Sequence, residues 1–390
     1  MTANLINILK QKRDKLFNEQ EFNRAKLYIV TGDLNFFASN KYALDLLYAT
    51  NKASKILVVK FFDDKFNFKN QIPVEYKVIN TMILPINRLP LGDTLSLRVN
   101  IPLFMALDRE IVHFLSNDMH VVHYTFPMIP AISYGSTHVV TIHDLMMFSR
   151  TVKGPWLSKA NWRWAIKRYR KFPHVVTPTK YVAKGVEGSG LFEGKITVIP
   201  HAVSPYFKKL SEDKAGIRVK LGLPTDKRLI LSVSSGKPRK NLGVVQEAVE
   251  RLGPEYKLVR VGPEAGNSIT FNKVSQDTLN MIYNACDVLL YPTLEEGFGY
   301  PAIEAMATGL PVVTSNIEVM REVCEDAAIF VEPTVDGSVQ GVKEALSNSE
   351  ALKNKGLKRS EFFSFEKFRK NYINLYSSIL PEIKDALGEN

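Results

Sequence analysis

Two glutamates and a glycine-rich turn lie close together in the second half of the chain. Glu296 comes before the turn at residues 297–300 and Glu304 follows it, with seven residues between the two glutamates. The turn leads into Pro301 and a helical pattern, and the free amides at the start of such a helix attract phosphate. Carboxylates beside a phosphate site suit sugar hydroxyls, from which they accept hydrogen bonds. The stretch therefore predicts a ligand with phosphates between two polyols, as in a nucleotide sugar.

A second loop, at residues 234–241, supplies positive charge. Its sequence, SSGKPRKN, follows a short apolar run at residues 229–233 and leads into another helical pattern. Arg239 and Lys240 are thus expected at the carboxyl end of a strand and beside a helix N-terminus, where cations and amides together bind diphosphate. The alternative is a run of charges that is simply solvated.

The elements that must position these loops alternate between strands and helices. Apolar runs at residues 288–291 and 311–314 enclose the glycine turn and its helix, which is the layout of a βαβ unit. Further candidate strands lie at residues 26–30, 56–61, 78–84, 120–124 and 139–142. This alternation predicts doubly wound parallel sheets, in which ligands bind at the carboxyl ends of the strands.

The motif around the two glutamates resembles that of a known family. The run E-G-F-G-Y-P-A-I-E-A-M-A-T-G-L-P-V-V, of about 18 positions, is similar to the E-x7-E signature of retaining GT-B glycosyltransferases, family 4 (glycosyl transferases group 1) in particular. The resemblance extends over residues 26–380 and is tightest over residues 230–335. It implies the GT-B fold: α/β, with two doubly wound, Rossmann-like parallel-sheet domains that face a cleft.

The resemblance also implies a plan of domains and an activity. A helical extension is expected at residues 1–25, a Rossmann-like acceptor domain at 26–203, a Rossmann-like nucleotide-sugar donor domain at 204–363, and a helix within 364–390 that returns to the first domain. The implied enzyme is a hexosyltransferase that moves a sugar from a nucleotide-diphosphate sugar to an acceptor and retains the anomeric configuration. No Asp-x-Asp motif is present, so we expect no cofactor and no metal ion.

The site residues implied by the resemblance form three groups. The catalytic group comprises Glu296 and His143, which hold the transferred sugar, and Lys240 and Arg239, which meet the charge of the leaving diphosphate. His143 stands in a T-I-H-D-L sequence at the end of a predicted strand. In the donor-binding group, Glu304 is expected to contact the ribose. The group consists of Gly297, Phe298, Gly299, Tyr300, Glu304, Gly262 and Val274. Gly32 marks the acceptor loop only weakly, because relatives often carry two glycines there.

The composition indicates an anionic partner and a reducing compartment. The net charge of +11 and the pI of about 9.3 fit a nucleotide sugar, an acidic lipid surface or nucleic acid. The chain has only Cys286 and Cys324, which we interpret as buried thiols and not as a disulfide framework. No apolar stretch reaches the length of a membrane span and no signal peptide is recognisable, so we expect a cytoplasmic protein.

Two basic segments suggest contact with the inner face of the membrane. Residues 1–25 form a basic amphipathic pattern, and residues 155–172 combine Trp156, Trp162 and Trp164 with several lysines and arginines. Such a mixture suits an anionic lipid surface. The alternatives are a first helix that packs on the domain surface and burial of the tryptophans in the domain core. The expected partners are a nucleotide sugar, a carbohydrate, lipid-linked or protein acceptor, and this membrane surface. No nucleic acid is expected, because no stacking or groove-reading motif is visible.

Rival functions stay open at the level of the sequence. One is a different enzyme on the same fold, a sugar phosphorylase or a nucleotide-sugar epimerase. The other is a non-catalytic module that binds sugar or nucleic acid. The sequence leaves open which sugar, nucleobase and acceptor are used, which linkage is made, and which oligomeric state the protein adopts.

Overall fold

The structure is a computed structural model that describes two compact units. It covers the backbone of residues 26–31, 54–60 and 78–83, most of residues 42–50 and 113–145, and all of residues 166–387. The predicted N-terminal extension, Gly32 and the three tryptophans lie outside the described residues. Unit 1 takes in the chain up to Pro178, residues 182–199 and the chain from Arg369 onward, and unit 2 takes in Pro200–Phe368 with Thr179–Tyr181.

Unit 1 is built on a parallel sheet. Within the described residues this sheet has seven strands in the order β3-β2-β1-β4-β5-β6-β7, and neighbouring strands run parallel. The central strands read VVHY and HVVT and are wholly buried, as strands covered on both faces require. The strands are β1 (Leu27–Thr31), β2 (Ser54–Lys60), β3 (Val78–Ile83), β4 (Val121–Tyr124), β5 (His138–Thr141), β6 (His174–Thr177) and β7 (Lys195–Val198).

Unit 2 contains a second parallel sheet. Its six strands, counted over the described chain, lie in the order β10-β9-β8-β11-β12-β13, again with parallel neighbours. They are β8 (Arg228–Val233), β9 (Tyr256–Val261), β10 (Ile269–Phe271), β11 (Val288–Tyr291), β12 (Val312–Ser315) and β13 (Ala328–Val331). The predicted apolar runs around the glycine turn thus form the adjacent strands β11 and β12.

Ten α-helices have both ends within the described part of the chain. They are α1 (Lys180–Ser189), α2 (Lys214–Lys220), α3 (Leu242–Leu252), α4 (Gln276–Ala285), α5 (Tyr300–Thr308), α6 (Glu318–Cys324), α7 (Val335–Ser347), α8 (Ser349–Ser360), α9 (Phe365–Ile379) and α10 (Ile383–Leu387). None of the helices in the described part of the chain has both the length and the apolar character that crossing a bilayer demands. Both cysteines are free and buried, as predicted.

Both sheets are doubly wound, which confirms the predicted fold class. In unit 1 the chain order runs outward from β1 on one side and from β4 on the other, and in unit 2 it runs outward from β8 and from β11. Ligands of such sheets bind beyond the carboxyl ends of the strands at the point where the order reverses. In unit 2 this switch point is flanked by the loops that follow β8 and β11.

A buried polar network ties the last long helix into unit 1. His123 of β4 hydrogen-bonds through Nδ1 with the Tyr376 hydroxyl of α9 at 2.6 Å and through Nε2 with Thr141 Oγ1 of β5 at 2.7 Å. The Tyr42 hydroxyl contacts both Thr141 and the Tyr372 hydroxyl of α9. Burial lowers the pKa of His123 to about 3, so the ring is neutral at physiological pH. Helix α9 therefore contributes polar partners as well as an apolar stripe to this unit.

A buried ion pair anchors the start of unit 2. Asp287, just before β11, accepts a hydrogen bond from Arg218 Nη2 at 2.7 Å and one from the Leu229 amide of β8 at 2.7 Å. Lys214 contacts the other carboxylate oxygen at 2.9 Å. Burial raises the pKa of Asp287, but the cations and the amide lower it further, and the net pKa lies below its ordinary value. The carboxylate therefore joins helix α2 to the two central strands of the sheet.

Substituting Asp287→Asn is expected to destabilise the protein by about 3 kcal/mol at neutral pH, because it leaves the buried Arg218 guanidinium without its anion. The measurement is chemical denaturation of the full chain. Since the pKa of Asp287 is depressed on folding, its contribution is present above about pH 4 and is lost as the pH falls through the folded pKa. Glu212→Gln is the control, because Glu212 pairs with Lys220 on the surface at 2.7 Å and should cost less than about 1 kcal/mol. Equal losses in the two variants would contradict the anchoring role.

Candidate functional site

The switch point of unit 2 brings the two predicted loops together. The loop after β8 carries Arg239 and Lys240 in a short 3-10 turn, Pro238–Lys240. The loop after β11 carries Glu296. Hydrogen bonds join the loops: the Leu294 amide donates to the Arg239 carbonyl at 2.8 Å, and the Arg239 side chain donates through Nη1 to the Glu295 carbonyl at 2.8 Å. The sequence predicted both loops as ligand-binding, and in the structure they form one surface.

Glu296 is the centre of this surface. Its Oε1 atom accepts hydrogen bonds from Lys240 Nζ, from the Tyr291 hydroxyl at 2.5 Å and from Thr293 Oγ1 at 2.9 Å. Arg239 Nη1 lies 3.1 Å from the same oxygen. Tyr291 also accepts a hydrogen bond from Lys240 Nζ at 2.8 Å. The carboxylate is thus held by two cations and two neutral hydroxyls in a buried position.

The ionisation of Glu296 and Lys240 follows from these contacts. Burial raises the pKa of Glu296, but Lys240 and Arg239 lower it further, so the net pKa lies below its ordinary value. Burial lowers the pKa of Lys240, and the charge of Glu296 offsets part of that effect. At neutral pH the glutamate is therefore an anion next to two cations.

The glycine turn and helix α5 have the geometry of an anion-binding loop. Gly299 precedes α5 with a φ of 103°, and Pro301 occupies one of the first helical positions. A Cβ at Gly299 would lie 3.0 Å from Met320 Sδ, so a side chain is opposed both by the backbone angle and by its neighbour. The Gly297 carbonyl accepts a hydrogen bond from Thr179 Oγ1 at 3.0 Å, which holds the turn from one side.

Aromatic packing supports the same turn. The Phe298 ring is buried and meets the His201 ring edge-on, with centroids 5.0 Å apart. Tyr300 stacks on His201 with centroids 5.2 Å apart and ring planes 2° from parallel. Phe298 therefore has a packing role here, while the backbone around it supplies the amides.

Glu304 lies within α5, and a hydrogen bond from the neighbouring helix α4 orients its carboxylate. The Tyr283 hydroxyl of α4 donates to Glu304 Oε2 at 2.9 Å, and both side chains are buried. Tyr283 was missed by the sequence analysis, because nothing in its local spacing links it to a residue in the next helix. The hydroxyl fixes the direction of a carboxylate that we expect to contact a ribose.

Gly262, at the end of β9, is enclosed by backbone and by a buried arginine. Its φ is 127°, and a Cβ there would lie 2.1 Å from the Ser234 carbonyl oxygen. Arg260 is fully buried and donates to the carbonyls of Ser232 at 2.8 Å and Ser234 at 2.5 Å. The Gly262 amide donates to the Phe271 carbonyl at 3.0 Å. Arg260, also missed from the sequence, thus fixes the start of the cationic loop against the glycine.

The remaining predicted residues are more dispersed. Val274 is half-buried and follows β10. His143 belongs to unit 1, where its Nε2–H donates to the Thr125 carbonyl at 2.6 Å and the Tyr42 ring meets it edge-on at 4.8 Å. Burial lowers the pKa of His143 to about 4, so it is neutral at pH 7. Gly32 lies outside the described residues.

No cluster of three or more histidine, cysteine, aspartate or glutamate side chains with the geometry of a metal site occurs among the described residues. The switch point brings Lys240 and Arg239 together with Glu296, and Glu304 lies in the helix that follows. This arrangement can bind an anion through Lys240, Arg239 and the amides at the start of α5. It can also present carboxylate oxygens to hydroxyl groups.

Two family models match successive parts of the chain. The model described as "Glycosyl transferases group 1" matches residues 213–359, and the model described as "Glycosyltransferase Family 4" matches residues 66–206. The first match contains both loops of the switch point and both glutamates. The second falls on the N-terminal half of the chain.

Curated relatives are similar over part of their length. The O-antigen chain mannosyltransferase RfbU of Salmonella typhimurium is 26% identical over 250 residues, which is 59% of this chain and 64% of that protein. The O-antigen chain mannosyltransferase B of Escherichia coli is 29% identical over 170 residues, or 37% of this chain and 45% of that protein. The matched segments thus span about half to two thirds of the relatives.

Solved structures share the fold over nearly the whole chain. A sucrose-phosphate synthase from Thermosynechococcus elongatus superposes with a TM-score of 0.71 at 15% identity, covering 92% of this chain and 100% of that one. Anabaena HepE in complex with UDP and glucose superposes with a TM-score of 0.71 at 14% identity, covering 91% of this chain and 100% of that one. At this identity the likeness shows the fold alone, which is the predicted GT-B fold.

Gly262→Ala is expected to destabilise unit 2 by at least about 2 kcal/mol more than Gly222→Ala. Both glycines have positive φ, but a Cβ at Gly222 meets nothing within 4 Å whereas one at Gly262 meets the Ser234 carbonyl at 2.1 Å. Gly222→Ala measures the cost of a left-handed backbone angle, φ 65°, at about 1 kcal/mol, and the excess at Gly262 reports its less accessible φ of 127° together with the close approach. Denaturation of both variants gives the difference, and equal stabilities would show that the close approach at Gly262 is easily relieved.

Proposed function

The chain belongs to glycosyltransferase family 4, the glycosyl transferases group 1, and on that premise we propose that it moves a sugar from a nucleotide-diphosphate donor to an acceptor. The observation that carries the proposal is the pairing of Lys240 and Arg239 with Glu296 at the switch point of unit 2. A donor of this class needs cations for its diphosphate and carboxylates for its sugar hydroxyls, and the two loops place both kinds of group side by side.

The leaving diphosphate is the part of the donor that the site stabilises most directly. Lys240, Arg239 and the free amides at the start of α5 are preorganised donors for the charge that develops as the glycosidic bond breaks. Glu304, held by Tyr283, is oriented to accept hydrogen bonds from the ribose. Gly262, at the end of β9, and Val274, which follows β10, are proposed to contact the nucleobase. His143 and Glu296 are proposed to contact the transferred sugar.

We propose that the anomeric configuration is retained through a front-face route in which the leaving diphosphate assists the incoming acceptor. Lys240 and Arg239 are placed to stabilise the leaving diphosphate, so that one of its oxygens can accept the proton of the incoming acceptor hydroxyl. Analysis of the product by NMR tests retention, because an inverted anomeric centre would contradict this route.

The sugar and the acceptor are suggested by the relatives. Two of them are named as O-antigen mannosyltransferases, so mannose is the first sugar to test, with a carbohydrate on a lipid carrier as acceptor. The HepE structure contains UDP and glucose, so uridine donors belong in the same panel. The net charge of +11 fits a cytoplasmic protein that attaches peripherally to an anionic membrane where such acceptors reside.

A panel of nucleotide sugars tests the function directly. The protein is heated with GDP-mannose, UDP-glucose, an ADP-sugar or a dTDP-sugar, and a donor present at 100 times its dissociation constant adds about 2.7 kcal/mol of stability. The stabilising donor is then assayed for release of nucleoside diphosphate with candidate acceptors. Turnover with inorganic phosphate as the acceptor would favour a sugar phosphorylase, and conversion of the donor without transfer would favour an epimerase.

Lys240→Ala is expected to weaken nucleoside diphosphate binding by about 1.5–3 kcal/mol, the contribution of a charge-assisted hydrogen bond. Lys237→Ala is the matched control, because Lys237 is exposed on the same loop and only three residues away. Titration calorimetry with UDP and GDP measures both variants. A Lys240→Ala protein that binds like the control would remove Lys240 from the diphosphate site.

Activity is expected to be unchanged in EDTA, because Lys240 and Arg239 take the place that a divalent cation has at other diphosphate sites. The measurement is the initial rate with the donor identified by the panel, before and after prolonged dialysis against EDTA. A fall in rate that magnesium or manganese restores would contradict the proposal of a metal-independent reaction.

A further inference from the structure

The cations of the proposed diphosphate site are already paired with a carboxylate. Lys240 and Arg239 both contact Glu296, whose side chain is 8% exposed. Within the described residues, Glu296 is the only carboxylate that forms an ion pair with either cation. A diphosphate therefore cannot bind these side chains fully unless the contacts to Glu296 weaken.

All the contacts of Glu296 fall on one of its two oxygens. In the part of the chain that the structure describes, Lys240, Arg239, Tyr291 and Thr293 all approach Oε1. Two of these four partners are cations, and the other two are neutral hydroxyls of the β11 strand end and its loop. Removal of the cations would leave Oε1 with two hydrogen bonds, from Tyr291 at 2.5 Å and Thr293 at 2.9 Å.

Arg239 keeps one donor unused. Its Nε–H is buried and makes no hydrogen bond within the described residues. A buried donor without a partner is costly, and such groups are usually satisfied by a ligand or by water. The guanidinium forms a planar fork suited to two parallel bonds with phosphate oxygens. The contacts to Glu296 therefore occupy only part of what the arginine can bind.

We propose that Glu296 is the internal counterion of the diphosphate clamp: a bound diphosphate takes over Lys240 and Arg239, while Tyr291 and Thr293 keep the released carboxylate in place. The carboxylate then faces the transferred sugar without a strong cation on Oε1. Tyr291 is a positioning residue in this exchange, because its hydroxyl accepts from Lys240 and donates to Glu296. The inference rests on the proposed function and assigns a regulatory contact to the same site.

The exchange makes Glu296 a competitor of the ligand. Glu296→Gln removes the competing charge, while the amide oxygen of glutamine can still accept from Tyr291 and Thr293. Lys240 and Arg239 are then available to a phosphate from the start, and the fraction of protein that is competent to bind increases. We therefore expect Glu296→Gln to bind UDP, GDP and inorganic pyrophosphate about tenfold more tightly than the wild type. Turnover of the donor should nevertheless fall, since the sugar loses its carboxylate.

Glu295→Gln is the matched control. It removes the same charge one residue earlier, but neither Lys240 nor Arg239 forms an ion pair with Glu295 in the described part of the chain. Its affinity for the three diphosphates should stay within about twofold of the wild type. Equal tightening in both variants would show a general effect of net charge and would overturn the counterion proposal. Titration calorimetry of the full chain measures every case.

The outcomes separate the inference from the function on which it rests. If the wild type binds UDP or GDP and Glu296→Gln binds them equally or more weakly, the counterion exchange is wrong and the proposed function stands. If neither protein binds any of the diphosphates, both are wrong. Should Glu296→Gln fail to fold, Glu296→Asp is the second variant. Its side chain is shorter by one methylene, so the carboxylate lies farther from Lys240 and Arg239. We then expect a smaller gain in diphosphate affinity, in the same direction.

Tyr291→Phe tests the positioning role separately. It removes the hydroxyl but leaves the glutamate and both cations. We expect kcat to fall at least about fivefold while the dissociation constant for UDP or GDP changes by less than about twofold. A purely structural role predicts lower stability with an unchanged kcat in the folded fraction. An unchanged kcat in Tyr291→Phe would therefore remove Tyr291 from the proposal.

Discussion

One carboxylate oxygen, Oε1 of Glu296, joins the two loops on which the rest of the site depends. Lys240 and Arg239 reach it from the loop after β8, and Tyr291 and Thr293 reach it from β11 and its own loop. The carboxyl ends of adjacent parallel strands meet at one edge of a sheet, so the fold delivers these groups to the same place. A buried ion pair tolerates little displacement, because either charge alone would be costly to bury. The constraint thus sets the positions of both loops.

Two glycines and two buried polar side chains fix the elements around that carboxylate. Gly262 and Gly299 permit close packing where a Cβ would meet a carbonyl or a sulfur atom. Arg260 donates a hydrogen bond to the Ser234 carbonyl at the start of the cationic loop, and Tyr283 donates one to Glu304. These groups are buried and hydrogen-bonded, so they restrict the site without contacting solvent. The result is an anion site whose cations, amides and carboxylates are each fixed by a different element.

Much of this arrangement could be predicted from local sequence. The spacing of Glu296 and Glu304 around a glycine turn, and a strand followed by Arg239 and Lys240, are short-range patterns that reflect backbone geometry. The pairing of Lys240 with Glu296 joins residues 56 positions apart, and that of His123 with Tyr376 joins residues 253 apart. Such contacts depend on strand order, which periodicity does not encode. Tyr291 and Arg260 looked like ordinary strand residues for the same reason.

The position of helix α9 in unit 1 has a consequence for the order in which the protein can fold during synthesis. Tyr372 and Tyr376 supply partners to Tyr42 and His123, yet all of Pro200–Phe368 is translated between the two halves of this network. When β7 has just been translated, all seven described strands of the first sheet exist, but His123 still lacks the Tyr376 hydroxyl that it bonds in the native structure. The main segment of unit 2, by contrast, ends at Phe368 and is translated before Tyr372 and Tyr376. Unit 1 therefore cannot complete this network until the last tyrosines have been translated, whereas every strand of unit 2 precedes them in the chain.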